Sequence, residues 1–207
     1  TETLLENTTL CIASFEVKGR EFGKIYKLGR THLQDAVPVT LGSEFDSYAA
    51  TLARDMKRVE ARLPFLQELN LGGTAVGNAI NASKEYQRAV YEELSKITGF
   101  PVKPADNFMS QTSSQTDFVS LSQAILALTI DASKIANDLR LMSSGPTGGL
   151  GEIMLEELQA GSSIMPGKVN PILPEAVNQL YYTVSGNNLT IEHASHASFL
   201  ELANMFP

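Results

Sequence analysis

The apolar positions between residues 38 and 70 form the strongest pattern in the chain. Leu41, Phe45, Tyr48, Leu52, Met56, Val59, Leu63 and Leu66 recur at intervals of 4, 3, 4, 4, 3, 4 and 3. Such spacing puts all eight on one side of an α-helix, with Arg54, Asp55, Lys57, Arg58 and Glu60 between them as the solvated side. Pro38 suits the first turn of that helix, whereas Pro64 should kink it or end it early. A second stripe, Leu121, Ile125, Leu128, Ala132, Ile135, Leu139 and Met142, alternates intervals of 4 and 3. Val119, Leu126, Ala127 and Ile130 make the opposite side apolar as well, which predicts a helix over 117–143 in the middle of a bundle.

Three weaker segments complete the pattern. Residues 1–28 read as helical, against the preference of Gly19 and Gly23. Residues 84–98 read as a shorter helix before Gly99, and residues 172–190 as a helix opened by Pro174 and Glu175. No segment shows strand alternation bounded by hairpin turns, and there is no internal repeat. The expected fold class is therefore all-α, a long-helix bundle whose elements cannot bury themselves in a compact monomer of 207 residues.

Composition narrows the function. With 43% hydrophobic and 19% charged residues the chain is globular and not a disordered tail. A net charge of −7 argues against a nucleic-acid partner, which is bound largely through clustered Lys and Arg. No uninterrupted apolar run reaches the roughly 18 residues of a bilayer crossing. The first residues lack the basic stretch and apolar core of a secretory signal, so no membrane partner is expected. Cys11 is the single cysteine, which excludes an internal disulfide and suits a cytoplasmic protein. It reads as a small buried apolar residue. The Asn-x-Ser/Thr triplets at Asn7, Asn81 and Asn188 are read as chance matches.

Four polar, glycine-containing stretches separate the helices, at 29–35, 72–78, 143–149 and 161–171. The second and third lack P-loop spacing and follow no predicted strand, so a phosphate cradle is a weak reading of them. The fourth, Gly161-Ser162-Ser163-Ile164-Met165-Pro166-Gly167-Lys168-Val169-Asn170-Pro171, gathers two hydroxyls, an ammonium and an amide in one short loop. Those groups, with backbone N–H donors, suit a carboxylate or an enolate-like anion. A plain surface turn is the competing reading.

The run from Gly161 to Pro171 resembles the signature loop of the aspartase/fumarase superfamily. Gly29 to Pro38 is similar to a second block of that superfamily, and Leu71–Asn81 and Lys134–Gly151 also look like family segments. The flanks Glu157-Leu158-Gln159-Ala160 and Ile172-Leu173-Pro174-Glu175-Ala176-Val177-Asn178-Gln179 are closer to its aspartate ammonia-lyase branch than to its fumarate hydratase branch.

The resemblance implies a reaction: removal of a proton beside a carboxylate gives an aci-carboxylate, which expels ammonia from L-aspartate to leave fumarate. Loss of water from malate is the alternative, and a non-catalytic helical oligomerisation domain is a third reading. Ser162 matches the general base, Thr31 and His32 a substrate-binding pair, and Lys168 and Asn170 substrate-carboxylate ligands. Glu175 matches a carboxylate paired with the histidine, so that Ser162, His32 and Glu175 form the expected catalytic set. Ser163 is either a further substrate contact or a structural hydroxyl. His193 and His196 read as surface histidines, and Asp35 as a cap or turn residue. The expected chemistry uses a small dicarboxylate substrate, no cofactor and no metal.

The resemblance also implies a homotetramer with active sites drawing on three chains, and closure of the 161–171 loop over substrate. Residues 1–207 correspond to the central helical domain; the family's N-terminal substrate-binding signature and small C-terminal domain are not in the sequence. Two positions depart from the family pattern. Thr147 stands where arginine is usual, and Ala203 separates Leu202 from Asn204.

Overall fold

In the computed structural model the 38–70 stripe becomes two elements. Helix α2 spans Leu41–Glu60, and Pro64 sits in the first turn of a separate 3-10 helix, Leu63–Gln67. The proline ends the long helix early because it lacks an N–H donor and crowds the preceding turn. The structure describes every residue except Ala160, Ser162, Ser163, Pro166, Phe206 and Pro207.

Helix α1 spans Glu2–Glu21, shorter than the 1–28 expected. A hairpin follows, β1 Tyr26–Thr31 and β2 Gln34–Thr40, antiparallel with Leu28 opposite Pro38. Pro38 is thus a strand residue and not the start of a helix. In a two-stranded ribbon both strands are edges, and an edge tolerates the missing donor. The later elements are β3 Glu68–Leu69, α3 Lys84–Thr98, β4 Lys103–Pro104, α4 Phe108–Ser113, α5 Thr116–Met142 and α6 Ile172–His196. Helix α3 has the expected bounds, α5 lies within one residue of them, and α6 runs on to His196. The class is helical, as the stripes require.

The chain divides into two compact units. The first comprises residues 1–57 and 127–182. Its core joins Ile12 of α1, Leu41, Phe45, Tyr48, Ala49 and Leu52 of α2, and Leu128, Ile135 and Met142 of α5. Phe15 and Phe22 of the α1 segment meet Phe45 at ring distances of 5.9 and 5.2 Å. Helices α1 and α2 approach closely at Gly42, where a Cβ would run into the Gly19 carbonyl and the Gly23 backbone. Cys11 is exposed on α1 and not buried as expected. It falls beside Ile12, which takes the core-facing position.

The second unit comprises residues 58–126 and 183–207. The Tyr91 hydroxyl donates to the Leu69 carbonyl at 2.6 Å and lies 3.0 Å from that of Leu71, tying α3 to the preceding loop. Ser83 and Asn107 cap α3 and α4 through their side-chain oxygens, as N-cap residues do. Ser122 donates to Asn188 at 2.9 Å and Gln123 to Glu192 at 3.1 Å.

Helix α5 is long and apolar enough, by length and composition, to cross a bilayer. A run with few interruptions therefore exists where no uninterrupted one does. Asp131, Lys134, Asp138 and Arg140 in its second half make ion pairs, which suits a helix surrounded by other helices.

Candidate active site

The described residues of the expected site, Thr31, His32, Lys168, Asn170 and Glu175, lie in the first unit. Thr31 closes β1 opposite Gln34, leaving His32 and Leu33 as a two-residue loop. Both have positive φ, 54° and 60°. A hairpin loop with both φ positive belongs to the type I′ class, usually filled by Asn-Gly. A residue with a Cβ costs about 1–2 kcal/mol in that conformation, so the surroundings must hold the turn. Thr31 and His32 are exposed, and among the described residues the His32 ring has no hydrogen bond or ion pair. The turn therefore presents an imidazole edge free to meet an anion. Asp35 is a strand residue opposite Arg30, not a cap.

An ion network fixes β1 just before this turn. Arg30 Nη1 lies 2.7 Å from Glu152 Oε1, and Lys27 Nζ lies 2.5 Å from Glu152 Oε2 and 2.8 Å from Glu44. The Lys27 side chain is only 10% exposed and that of Glu152 16%, so these charges are largely out of water. Burial pushes the Glu152 carboxyl up, but hydrogen bonds from Lys27 and Arg30 outweigh it and hold the group below the usual carboxylate range. Beside the network Tyr48 donates to Asp138 at 3.1 Å, and Asp138 pairs with Lys134. Burial, then the nearby Asp138 charge, pushes the Tyr48 phenol up, so it remains a donor. Lys27, Arg30, Glu44, Tyr48, Lys134 and Asp138 line a polar cavity of about 230 Å³.

The signature loop supplies the second part. Gly161 approaches the Lys168 carbonyl so closely that a Cβ would collide with it, and Gly167 has a φ of 79°. Lys168 N donates to the Met165 carbonyl at 3.2 Å, and Ile172 N to that of Asn170 at 2.9 Å. Lys168 is exposed, and among the described residues its ammonium has no ion pair. Asn170 is half-buried. Gly167 and Val169 line a cavity of about 260 Å³ together with Ser143, Pro146, Gly151 and Ile153. Ser162 and Ser163, the expected base and its neighbour, lie outside the described residues.

Glu175 supplies the third part, in the first turn of α6. Within one chain it faces Arg140 Nη2 at 3.9 Å, and among the described residues it forms no ion pair with His32. Arg140 Nη1 donates to Asn178 at 2.9 Å, and Asn178 in turn donates to the Ser133 carbonyl and hydroxyl at 3.0 and 2.8 Å. Arg140 Nε is buried without an acceptor. In one chain, then, the turn, the loop and the start of α6 are three separate presentations of functional groups. Thr147 is exposed in the 143–149 loop, and its hydroxyl makes no hydrogen bond among the described residues. Sequence reading missed Lys27, Arg30, Glu152 and Arg140. A carboxylate standing alone in the Gly- and apolar-rich run 148–154 was the one available signal.

The Lys168 ammonium and the exposed His32 imidazole each suit an anionic carboxylate, and the Glu175 carboxylate suits a cationic partner. Residues 1–186 match a protein-family model described as Lyase. An aspartate ammonia-lyase from Bacillus sp is 48% identical over 204 residues, covering 99% of this chain and 44% of that protein. The chain thus spans less than half the length of such curated relatives. A fumarate lyase:delta crystallin from Brucella melitensis, bound to cobalt, superposes with a TM-score of 0.93 at 50% identity, over 99% of this chain and 44% of that one. A class II fumarase from Schistosoma mansoni gives the same TM-score at 32% identity, over 96% of this chain and 45% of that one.

Proposed function

The chain belongs to the lyase family, and from that membership we propose that it acts in the elimination of ammonia from L-aspartate to give fumarate. The observation that carries the reading is the 48% identity to an aspartate ammonia-lyase over 99% of the chain. The fold alone does not choose the branch, because a fumarase superposes equally well.

In the proposed reaction Ser162 takes the proton from the carbon beside the distal carboxylate. The electron pair moves into that carboxylate, giving a dianionic aci-carboxylate. Collapse of that intermediate expels the neighbouring amino group as ammonia and forms the double bond. Lys168 and Asn170 hold the carboxylate on which charge accumulates, and Lys168 supplies positive charge to a chain of net charge −7. Thr31 and His32 bind from the hairpin turn, and Glu175 orients the His32 ring. Since among the described residues no ion pair joins His32 to Glu175 within one chain, we place their pairing at an interface of a homotetramer. The exposed apolar side chains of α5 and α6 support such an assembly. A reducing cytoplasm suits the exposed Cys11 thiol.

The test is ultraviolet absorbance of fumarate, followed with aspartate and then malate. Fumarate from aspartate alone is the expected result. Fumarate from malate alone would move the protein to the hydratase branch, and none from either would leave an assembly role.

A further inference from the structure

The hairpin that carries Thr31 and His32 is weakly held by ordinary means. A two-stranded ribbon is marginal by itself. Tyr26, Leu33 and Val37 are 79, 71 and 66% exposed, so little apolar burial anchors it in the chain. Its turn is strained at both central residues. Yet Arg30, the residue before Thr31, is held at 2.7 Å by a carboxylate 122 positions along the chain. That carboxylate, Glu152, is fixed in turn by its own backbone N–H, which donates to the Met142 carbonyl at the end of α5 at 2.8 Å. The next residue, Ile153, lines the same cavity as Gly167 and Val169 of the signature loop.

From this arrangement we infer that Glu152 is a positioning residue, which sets the Thr31–His32 turn in place and registers it against the segment bordering the signature loop. The inference rests on the reading of His32 as a substrate-binding group. Glu152 touches no substrate in this role; it acts through Arg30. Lys27 and Glu44 form the other half of the network. They tie the start of β1 to α2, further from the turn, and supply an internal control.

The experiment compares Glu152→Gln, Arg30→Gln and Glu44→Gln, in the protein as its own gene encodes it. Each is assayed for kcat and KM with aspartate, and for hydrogen exchange at the amides of residues 30–35. Glu152→Gln and Arg30→Gln should each lower kcat/KM by up to about 100-fold, the scale of a 1 Å misplacement, chiefly by raising KM. Turnover at saturation should stay within about threefold, because a group binding ground and transition states alike moves KM alone. The double variant should be no worse than Glu152→Gln alone, since that change already cuts the Arg30 tie along with the Lys27 one. Hairpin amides should exchange faster in both. Glu44→Gln removes a carboxylate from the same Lys27 but spares the Arg30 tie, and its KM should stay within about twofold. An unchanged KM in folded Glu152→Gln, or an equal rise in Glu44→Gln, would overturn the inference. If Glu152→Gln does not fold, Arg30→Gln decides by the same readouts. If the parent protein makes no fumarate, the functional reading fails separately, and unaltered exchange at residues 30–35 still overturns the positioning role.

Discussion

At the scale of single residues, Glu152 gives stability a direction in pH. Lys27 and Arg30 hold its carboxyl below the ordinary range despite the opposing effect of burial. A group with a lowered folded-state pKa stabilises fully above its unfolded value, about 4.3, and that contribution is lost as the pH falls through the folded value. Urea midpoints should therefore drop more steeply below about pH 4.3 in the parent than in Glu152→Gln. Parallel curves would mean the carboxylate gains nothing from its partners. The proposed roles of Ser162 as base and Lys168 as carboxylate ligand can be told apart by separating binding from chemistry. Ser162→Ala should lower kcat by about 10²- to 10⁴-fold, the usual worth of a positioned base, with little change in substrate affinity. Lys168→Ala should weaken binding instead, because its charge serves ground and transition states alike. Equal, modest losses in both, tracking a lower melting temperature, would reduce the loop to a structural turn.

At the scale of elements, two helical glycines should respond to alanine with opposite signs. At Gly42 a Cβ would meet the backbone of the α1 segment, so Gly42→Ala should destabilise the chain by about 1–3 kcal/mol, as overpacking does. At Gly186, inside α6, a Cβ meets nothing, so Gly186→Ala should stabilise the isolated chain by up to about 1 kcal/mol. Thermal melts of both variants check the pair; a shared sign would mean the α1–α2 approach is looser than it stands. The same glycines show what was legible in the sequence. Propensity made Gly19 and Gly23 arguments against a helix, whereas Gly19 lies inside α1, where another helix passes close. The stripes of α2 and α5 were readable because one side of each helix is buried. The 26–40 hairpin was not, because β2 is exposed at its first five positions and so has no buried face to alternate against. Its turn residues, His32 and Leu33, also lack the Asn-Gly chemistry that marks a hairpin. The motif supplied Thr31, His32, Lys168, Asn170 and Glu175. It could not supply the Arg30–Glu152 pair: the carboxylate in 148–154 stands out, but nothing local points to a partner 122 positions away.

At the scale of the whole molecule, the exposed apolar residues ask for other chains. Leu173, Leu180, Tyr182 and Leu189 of α6 are 54–66% exposed, and Phe118 and Ile130 of α5 nearly half so. Leu180→Glu should split the proposed tetramer, which sedimentation would show as a smaller species; an unchanged assembly would move the interface elsewhere. A separate experiment asks whether the active site is shared between chains. Within one chain His32 sits on a hairpin tied to Glu152, Glu175 pairs with Arg140, and among the described residues no ion pair joins His32 to Glu175. If they meet only between subunits, inactive variants should complement each other. His32→Ala and Glu175→Gln, each with little activity alone at aspartate concentrations far below its raised KM, would be unfolded together and refolded as a mixture. Random assembly leaves both residues intact in about a quarter of sites, because in a closed symmetric oligomer each site draws its two residues from different chains. Recovery towards that fraction of parental activity is the expected outcome. If the two residues act from the same chain, every mixed site keeps one defect. Activity would then stay at the level of the separate variants, and the pairing of His32 with Glu175 across an interface would be wrong.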